Sequence, residues 1–542
     1  MANNSMRNSR SSSSGGRRTD HRRAGSGRGS ASARRGRKND RPSVVSIILA
    51  VEMTVLTLGA AVFFLYTVFH SGLLNTRYDA ALIAFCVVIV AVVGFLGWMH
   101  AFNRRIGKGA KRGCFIGSVV LTVFAVIVFI IGGLYVYRTE DTLREVTGTT
   151  IEISSYAVYV SDDDPAQTLE DTRGYTYGIL QTQDRENIDI VLSDIRSELG
   201  ATVSYNEYPG LIGIADAMRS GEIQAMLIGS SFTDTYESFE GYETFSSEIR
   251  PVWSTEVTVE LQTEVPEHVE EENEHVFTLY ISGSDTRNST LPSRGLSDVN
   301  LIVRMNTETH QILILNTPRD YYVPTTVSNG ALDKLTQAGD YGVLCSMGTL
   351  AMLYGIDIDY YARVNFVGFT DIINAVGGVN VWSDYTFDTQ QVVGYHFNEG
   401  YNYMTGDAAL AFARERYAVP GGDNQRGVDQ MHVLEGLIDK LTDPSVLTRY
   451  LDILDGLEGT FESNVPYDVM TELVQMQLDY GGGWEVYTYA VKGTGDMQPT
   501  YTAHHDAYVT WPDYSTVEFA SQMLNAMVND EVITDPDLAE GM

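Results

Sequence analysis

Two aspartates and one arginine stand at the ends of three apolar segments in the C-terminal half of the sequence. These segments, which polar connections separate, lie at 276–282, 299–305 and 311–317. Their apolar patterning predicts a β-meander, and antiparallel pairing would bring Asp285, Asp298 and Arg319 to one end of the sheet. Two carboxylates beside a guanidinium suit a divalent cation with a polyphosphate. The alternative is that the aspartates only cap turns.

Three arginines within thirteen positions form a second candidate site. Arg426 and Gln430 are four residues apart on a predicted helix that Asp423 could cap, so both would face one way near a helix N-terminus, where anions bind well. Arg414 and Arg416 could instead complement the C-terminal dipole of the preceding helix. In so acidic a chain, the cluster favours phosphate binding.

Six motifs in this region resemble the LytR-CpsA-Psr family. In the family's order they are GSDTR, SDVNLIVRMN, NTPRDYYVP, DKLTQAG, IDIDYYARVNFVGFTDIINAVGGVNV and ALAFARERY...GGDNQRGVDQM. The resemblance is strong over residues 276–445 and fades toward 520. It implies an α/β/α catalytic domain with a central mixed β-sheet. It also implies Mg²⁺-dependent transfer of a glycopolymer, such as teichoic acid or capsular polysaccharide, from a polyprenyl-pyrophosphate carrier to peptidoglycan, with formation of a phosphodiester.

The resemblance also implies roles for individual residues. Asp285 and Asp298 match the family's aspartates for Mg²⁺ and pyrophosphate, and Asp298 could assist as a base. Arg319 matches the arginine of the family's Pro-Arg-Asp motif, which makes Asp298 and Arg319 the predicted catalytic pair. The predicted phosphate-binding residues are Arg287, Arg319, Arg414, Arg416, Arg426 and Gln430.

Three positions depart from the family pattern. Leu296 stands where the family often has arginine, and Arg294 nearby could substitute for it. Gln337 stands where histidine is frequent. Asp429 stands where a basic or amide residue is frequent. Two rival hypotheses stay open, the first because of these departures and the second because the same metal and arginines would also permit it. One is a non-catalytic sensor or regulator that binds the lipid pyrophosphate, and the other is a pyrophosphatase that hydrolyses the carrier without an acceptor.

The N-terminal part of the sequence predicts a membrane anchor. Apolar runs at 44–69, 80–102 and 114–137 are each long enough to cross a bilayer as a helix. The basic tail and the basic connection at 104–112 should stay cytoplasmic, because positively charged segments are retained on that side. Three crossings then place all residues after 138 outside the cell. The sequence thus predicts a multi-pass protein of the cell membrane with a cytoplasmic N-terminus.

Charge divides the chain into two parts. Residues 1–42 hold 12 Lys or Arg against two Asp, and residues 138–542 hold 19 Lys or Arg against 66 Asp or Glu. The Ser, Gly and Arg composition of the tail predicts disorder. Beside a membrane its arginines favour anionic lipid over nucleic acid, and the acidic remainder repels nucleic acid. The predicted partners are the lipid-linked glycopolymer, peptidoglycan and membrane lipid, with no nucleic acid.

A second folded unit is predicted before the motif region. Alternating patterns predict a βαβαβ unit in an α/β lobe, with strands at 175–180, 201–205 and 223–228. This lobe could bind a ligand or serve a structural or docking role. The predicted divisions are a basic tail at 1–42, three transmembrane helices at 43–138, the lobe at 148–256, an acidic linker at 257–274, the catalytic domain at 275–525 and an acidic tail at 526–542.

The apolar stretch at 356–381 allows two interpretations. It could form, with the sheet, a tunnel for a polyprenyl chain, because a lipid substrate needs an apolar channel. It could also be ordinary core. We expect core for most of these side chains and tunnel lining for a few.

Overall fold

The computed structural model describes residues 43–103, 105, 107–146, 151–260, 273, 275–286, 291–443, 446, 453, 457 and 459–534. The predicted tail at 1–42, most of the predicted linker and Arg287 lie outside these residues. The described α-helices are α1 (Val44–Ser71), α2 (Asp79–Phe102), α3 (Lys108–Val146), α4 (Arg185–Leu199), α5 (Leu211–Ser220), α6 (Phe232–Thr235), α7 (Phe245–Glu248), α8 (Val343–Tyr354), α9 (Phe366–Ala375), α10 (Gly406–Arg414), α11 (Asp423–Thr442), α12 (Tyr467–Tyr480) and α13 (Tyr514–Val528).

The strands form a five-stranded sheet, a six-stranded sheet and several two-stranded ribbons. In chain order they are β1 (Ile151–Ser161), β2 (Thr176–Leu180), β3 (Ser204–Tyr208), β4 (Ala225–Gly229), β5 (Ile249–Glu260), β6 (Val276–Ser284), β7 (Val299–Asn306), β8 (Gln311–Asn316), β9 (Tyr322–Pro324), β10 (Leu332–Lys334), β11 (Tyr360–Asn365), β12 (Val379–Ser383), β13 (Phe387–Asp388), β14 (His396–Phe397), β15 (Gly400–Met404), β16 (Phe461–Ser463), β17 (Glu485–Ala490), β18 (Gly493–Pro499) and β19 (Asp506–Pro512).

Helices α1, α2 and α3 pack against one another and are each long and apolar enough to cross a membrane. Gly97 lets α2 approach α1 closely, since a Cβ there would lie 3.0 Å from the Ala50 Cβ. Large apolar side chains such as Phe124 face outward and are exposed. Helix α3 continues without interruption past the predicted boundary at 138, as far as Val146.

The connection between α1 and α2 contacts α12. Tyr467 Oη donates a hydrogen bond to the Ser71 carbonyl at 2.6 Å, and Asn75 Nδ2 donates to Asp479 Oδ2 at 2.8 Å. Arg77 forms an ion pair with the same Asp479 carboxylate. The helical bundle is therefore joined, at the end where this connection lies, to the largest domain, which contains strands β6 to β19.

The lobe at 151–260 confirms the predicted βαβαβ unit. Its sheet has the order β3-β2-β4-β1-β5, with β2 parallel to both β3 and β4. The predicted middle strand began too early, because Gly200 ends α4 in a left-handed conformation and β3 starts only at Ser204. The predicted lobe boundary at 256 is also wrong. Strand β5 pairs with β1 as far as Glu260.

The six-stranded sheet of the largest domain has the order β16-β11-β6-β7-β8-β17. Antiparallel pairing of β6, β7 and β8 confirms the predicted meander. Parallel pairing of β11 with β6 and of β17 with β8 makes the sheet mixed, as predicted. Helices α8 and α13 bury side chains such as Leu350 and Leu524 in one core, while Met431 of α11 belongs to a core with Leu301 and Ile314. The result is a three-layer α/β/α arrangement.

The C-terminal boundary predicted at 525 cuts through α13 and is wrong. The helix continues to Val528 because Met527, like Leu524, is buried against the sheet. Beyond it, the backbone N–H of Ile533 donates to Gln311 Oε1 at 2.9 Å, and Ile533 is buried. Residues 526–534 therefore belong to the folded domain.

The lobe and the largest domain share a buried boundary. Arg294 forms ion pairs with Glu152 and, at 3.2 Å, with Asp184, and the Arg294 and Glu152 side chains are both largely buried. Thr235 Oγ1 donates to Asp340 Oδ2 at 2.5 Å across the same boundary. Apolar side chains of both units, including Tyr341, pack in one core. These contacts hold the lobe in a fixed position on the domain.

Candidate active site

The meander brings Asp298 and Arg319 together at one end of the six-stranded sheet. Asp298 precedes β7 directly, and its backbone N–H donates to the Gly283 carbonyl at 2.9 Å. Arg319 follows β8 and donates from Nη1 to Asp298 Oδ1 at 2.6 Å. Burial, the largest influence, lowers the pKa of Arg319, but the charges of Asp298 and Asp320 outweigh it and the net pKa is raised. Arg319 is therefore a permanent cation.

Asp285 lies at the same end of the sheet, one residue beyond β6. Arg414 Nη2 approaches Asp285 Oδ2 at 3.3 Å, and the Arg414 guanidinium lies 4.5 Å from the centre of the Phe366 ring. Arg414 is the last residue of α10, where a cation also complements the helix dipole. The two interpretations of Arg414 thus apply together: it complements a helix end and lies at the predicted site.

The N-terminus of α11 adds two more arginines. Arg426 Nη2 pairs with Asp423 Oδ1 at 2.8 Å, and Arg416 Nη1 lies 3.9 Å from the same oxygen. Burial lowers the pKa of Arg426, and the charges of Arg319 and Arg416 act in the same direction. The predicted cap is wrong, because Asp423 is the first helical residue and Gly422, at a positive φ of 58°, takes the capping position. An anionic group would relieve the repulsion among these arginines.

Gln430 lies one helical turn beyond Arg426, and its amide donates to the Ala413 carbonyl at 3.2 Å. The structure therefore brings together Asp285, Asp298, Arg319, Arg414, Arg416, Arg426 and Gln430, which line a shared set of cavities. The position of Arg287 is outside the described residues.

The loop that carries Arg416 is held by Glu415, a buried residue to which the sequence pattern assigned no part in the site. The Glu415 carboxylate accepts backbone N–H groups from Gln390 at 2.5 Å and from Tyr417 at 2.8 Å, among others. Burial alone would raise the pKa of Glu415, but these donors more than offset it and the pKa is lowered. Glu415 thus positions Arg416 through the backbone. In the sequence, an acidic residue between two arginines indicates no more than local charge balance.

Lys334 and Asp320 are also part of the site's wall. Lys334 Nζ lies 2.6 Å from Asp320 Oδ1, and Asp320 Oδ2 lies 3.9 Å from Arg319 Nε. Both residues belong to motifs named above: Asp320 follows Arg319 in NTPRDYYVP, and Lys334 is the second residue of DKLTQAG. Their pairing depends on the contact between β10 and β9, which the sequence pattern did not predict.

Two cavities meet at the aspartates and arginines. One, of about 420 Å³, is apolar and is lined by side chains such as Leu279, Leu301 and Phe369. The other, of about 1390 Å³, is lined mainly by polar residues of the lobe and the domain. The residues that line both cavities are Asp285, Asp298, Arg319, Arg414 and Arg416. The charged cluster is therefore the junction between an apolar channel and a polar cleft.

The apolar channel shows which side chains of residues 356–381 line a cavity and which belong to the core. Within this stretch Ala362, Val364, Asn365, Phe366, Phe369 and Ile372 line the channel. Others, such as Ile358, Ile373 and Val381, are buried in cores. Both interpretations therefore hold for different side chains of the stretch.

The site suits a phosphate group and a hard cation. Arg319 Nε and Arg416 Nε are buried N–H donors that have no hydrogen-bond partner among the described residues. Such donors are costly unless an acceptor fills the space beside them. Asp285 and Asp298 contribute carboxylate oxygens to the same cavities, and oxygen donors are the ligands that Mg²⁺ prefers. The donor set therefore fits Mg²⁺ with a phosphorylated compound.

The three departures from the family pattern occupy different environments. Leu296 and Arg294 both line the polar cleft, and the Arg294 guanidinium is paired with Glu152 and Asp184 of the lobe. Gln337 is buried, and its amide atoms have no partner among the described residues. Asp429 is buried on α11 and accepts a hydrogen bond from Gln425 Nε2 at 3.0 Å.

Replacement of Asp429 by asparagine is expected to stabilise the protein at alkaline pH. Burial, together with the charges of Asp384 and Glu415, raises the pKa of Asp429 to about 8. The folded state therefore binds a proton that the unfolded state releases near pH 4, so stability falls as pH rises from 4 to 8. Between pH 5.5 and 8 the free energy of unfolding falls by about 3 kcal/mol because of this group.

Thermal unfolding at both pH values measures this effect. Asp429→Asn should show a higher Tm than wild type at pH 8 and a smaller difference at pH 5.5. The exposed Asp407→Asn serves as the matched control and should follow wild type. An Asp429→Asn variant whose Tm keeps the pH dependence of wild type would refute the assignment.

Comparison with known proteins gives a consistent family match. Residues 247–510 match the LytR_cpsA_psr family. The polyisoprenyl-teichoic acid–peptidoglycan teichoic acid transferase TagU of Bacillus anthracis is 34% identical over 238 residues, which are 44% of this chain and 73% of that protein. The protein of the same name from Enterococcus faecalis is 30% identical over 228 residues, or 42% of this chain and 73% of that protein.

Among solved structures, the crystal structure of B. subtilis TagV is similar with a TM-score of 0.40 and 25% identity. It covers 48% of this chain and 100% of TagV. The crystal structure of B. subtilis TagU is similar with a TM-score of 0.37 and 23% identity, covering 48% of this chain and 100% of that chain.

Proposed function

Because the chain belongs to the LytR-CpsA-Psr family, we propose that it transfers a glycopolymer from a polyprenyl-pyrophosphate carrier to peptidoglycan, forming a phosphodiester. The family relatives are named as transferases of teichoic acid from a polyisoprenyl carrier to peptidoglycan. Teichoic acid and capsular polysaccharide are both candidates for the polymer in this chain. The activity is that of a phosphotransferase.

The junction of the two cavities is the observation that carries this proposal. A polyprenyl-pyrophosphate saccharide has an apolar tail, a charged centre and a polar head in that order. The apolar channel, the arginine and aspartate cluster and the polar cleft follow in the same order. The pyrophosphate would lie at Arg319, Arg414 and Arg416, with its tail among Leu279, Phe369 and their neighbours.

The chain's own residues would act by position and charge. Arg319, with Nη1 on Asp298 and Nε without a hydrogen-bond partner among the described residues, binds a phosphate oxygen and stabilises the charge that builds up during transfer. Arg416 and Arg426 add positive charge at the N-terminus of α11. A peptidoglycan hydroxyl attacks the phosphorus next to the saccharide, the phosphorus–oxygen bond to the polyprenyl phosphate breaks, and the hydroxyl proton passes to the Asp298 carboxylate, the predicted base.

Asp285 and Asp298 are the residues that would hold Mg²⁺. When bound, the cation would neutralise charge on the pyrophosphate oxygens and orient them. Asp298 remains a predicted base for the attacking hydroxyl, although its carboxylate is also paired with Arg319. The proposed arrangement leaves the acceptor to approach through the polar cleft.

The proposed location is the cell membrane, with α1, α2 and α3 as three spans. The basic segments on the N-terminal side of α1 and between α2 and α3 would lie in the cytoplasm. The lobe and the catalytic domain would then lie outside, where peptidoglycan is found. Membrane lipid would surround the exposed apolar side chains of the bundle.

The full-length protein in detergent tests this proposal. We expect it to join a polyprenyl-pyrophosphate saccharide to peptidoglycan fragments in the presence of Mg²⁺, with one polyprenyl phosphate released for each saccharide transferred. EDTA should abolish the reaction. The joined product is detected by mass spectrometry and the released lipid by chromatography.

The same assay separates the rival hypotheses. Release of polyprenyl phosphate and saccharide phosphate from the carrier at the same rate without peptidoglycan would identify a carrier pyrophosphatase. Tight binding of the lipid pyrophosphate with neither transfer nor release would favour the sensor. Either result would refute the transferase proposal.

A further inference from the structure

The polar cleft has a wall that lies mostly outside the residues matched by the family, which begin at 247. Strand β1, the end of β4 and helix α6 with the turn after it supply most of this wall. The polar side chains that they and β5 contribute are Ser154, Ser155, Ser230, Ser231, Asp234, Glu237, Ser238 and Glu256. The wall thus contains hydroxyls and carboxylates, and no lysine or arginine of the lobe lines the described cavity.

This composition is suited to carbohydrate. Serine hydroxyls both donate and accept hydrogen bonds, and carboxylates accept them from sugar hydroxyls and amide N–H groups. Hydrogen bonds to ionised carboxylates are stronger than those between neutral groups. Two exposed aromatic side chains, Tyr417 and Tyr508, line the same cleft from the domain side and offer flat apolar faces. The wall's negative charge would disfavour a second phosphate group beside it.

The wall is held in register with the charged cluster. The ion pairs of Arg294 and the hydrogen bond from Thr235 to Asp340 join the lobe to the domain at two places. Ser231 Oγ also donates to the Asp340 carbonyl at 3.2 Å. Asp234 and Glu237 therefore face a cleft whose opposite side carries Arg319, rather than a gap between independent units.

Chemical connectivity decides what enters this cleft. The lipid and the saccharide are attached to opposite ends of a pyrophosphate, so a lipid in the apolar channel places the saccharide in the polar cleft. We propose that the accessory lobe is a carbohydrate-binding wall, in which Asp234 and Glu237 hydrogen-bond the saccharide next to the reacting phosphate. This inference rests on the proposed function for the placement of the pyrophosphate. Glycan of the peptidoglycan acceptor offers the same chemistry and is the second source of sugar.

Binding measurements on the full-length protein test the inference without requiring turnover. Affinities are measured in detergent with Mg²⁺ for farnesyl diphosphate, for farnesyl diphosphate carrying a disaccharide, and for a soluble disaccharide-peptide fragment of peptidoglycan. In wild type the disaccharide should tighten binding of the lipid diphosphate about tenfold, as expected for hydrogen bonds to charged groups. The double variant D234N/E237Q should lose that gain to within about twofold and keep its affinity for farnesyl diphosphate.

Glu240→Gln is the matched control, because Glu240 is exposed on the same segment and does not line the cleft. It should bind all three compounds as wild type does. Unchanged affinity of the double variant for farnesyl diphosphate also shows that the variant is folded.

The outcomes separate the inference from the proposed function. Loss of the sugar-dependent gain assigns the wall to the donor saccharide, and weaker binding of the peptidoglycan fragment alone assigns it to the acceptor. If the double variant binds both sugars as tightly as wild type, or if wild type shows neither the gain nor binding of the peptidoglycan fragment, the carbohydrate-binding wall is ruled out. Sugar-dependent binding in a protein that transfers nothing would support the wall and refute the transferase.

Discussion

Arg319→Ala is expected to reduce glycopolymer transfer by about 10³-fold, with a much smaller effect on binding of the lipid carrier. An arginine that stabilises transition-state charge in phosphoryl transfer contributes on the order of 10³ to 10⁵ in rate. Arg319 is held by Asp298 at 2.6 Å and is largely buried. In the alanine variant, water would therefore not stabilise the phosphate charge as the guanidinium does. Initial rates and carrier affinities of the full-length variant measure the two quantities separately.

Two further variants make the result specific to the Arg319 guanidinium. Arg319→Lys keeps the charge but loses the planar fork of donors, and it should recover only a small part of the lost rate. Arg219→Ala removes an arginine on the exposed surface of the lobe, where it pairs with Glu248, and should leave transfer unchanged. Transfer by Arg319→Ala above one tenth of the wild-type rate would contradict the assigned role.

Asp298→Asn is expected to slow transfer by about 10²-fold or more and to weaken the response to Mg²⁺. Asparagine keeps the shape of aspartate and can still accept a hydrogen bond from Arg319, but it removes the charge that would attract the cation. The Mg²⁺ concentration for half-maximal activity should therefore rise. Mg²⁺ titrations of transfer in wild type and variant provide the measurement.

Coupling between the two residues provides an independent check. Asp298 and Arg319 are in direct contact, so the combined variant D298N/R319A should lose far less activity than the product of the two single losses. Asp407→Asn, an exposed aspartate at the start of α10, should behave as wild type. Full independence of the two effects, or an unchanged Mg²⁺ requirement in Asp298→Asn, would show that Asp298 has another role.

The strand ends of the site could be predicted from sequence because local patterning determines them. Apolar segments separated by short polar connections leave few possible registers, and Gly283 indeed pairs with Val299, directly after Asp298. The start of α11 was harder to predict. Asp423 has the side chain of a good cap, but the positive φ of Gly422 moves the capping position back by one residue.

Long-range contacts account for most of what the sequence could not predict. Arg294 was expected near the phosphates, yet its partners Glu152 and Asp184 stand more than a hundred residues earlier in the chain. Glu415 finds donors in the separate segment at Gln390 and Gln391. No local pattern records such pairings, because they arise only when segments that are distant in the chain pack together.

The contact between the α1–α2 connection and α12 has a consequence for how the rate of transfer depends on the concentration of the lipid carrier. If α1, α2 and α3 cross the bilayer, the hydrogen bonds of Ser71 and Asn75 to α12 fix the height and tilt of the catalytic domain above the lipid headgroups. The site can then sample only carrier molecules that diffuse in the same leaflet. Turnover would follow the number of carriers per unit area of membrane, and diluting the bilayer with inert lipid would slow it even at constant total substrate.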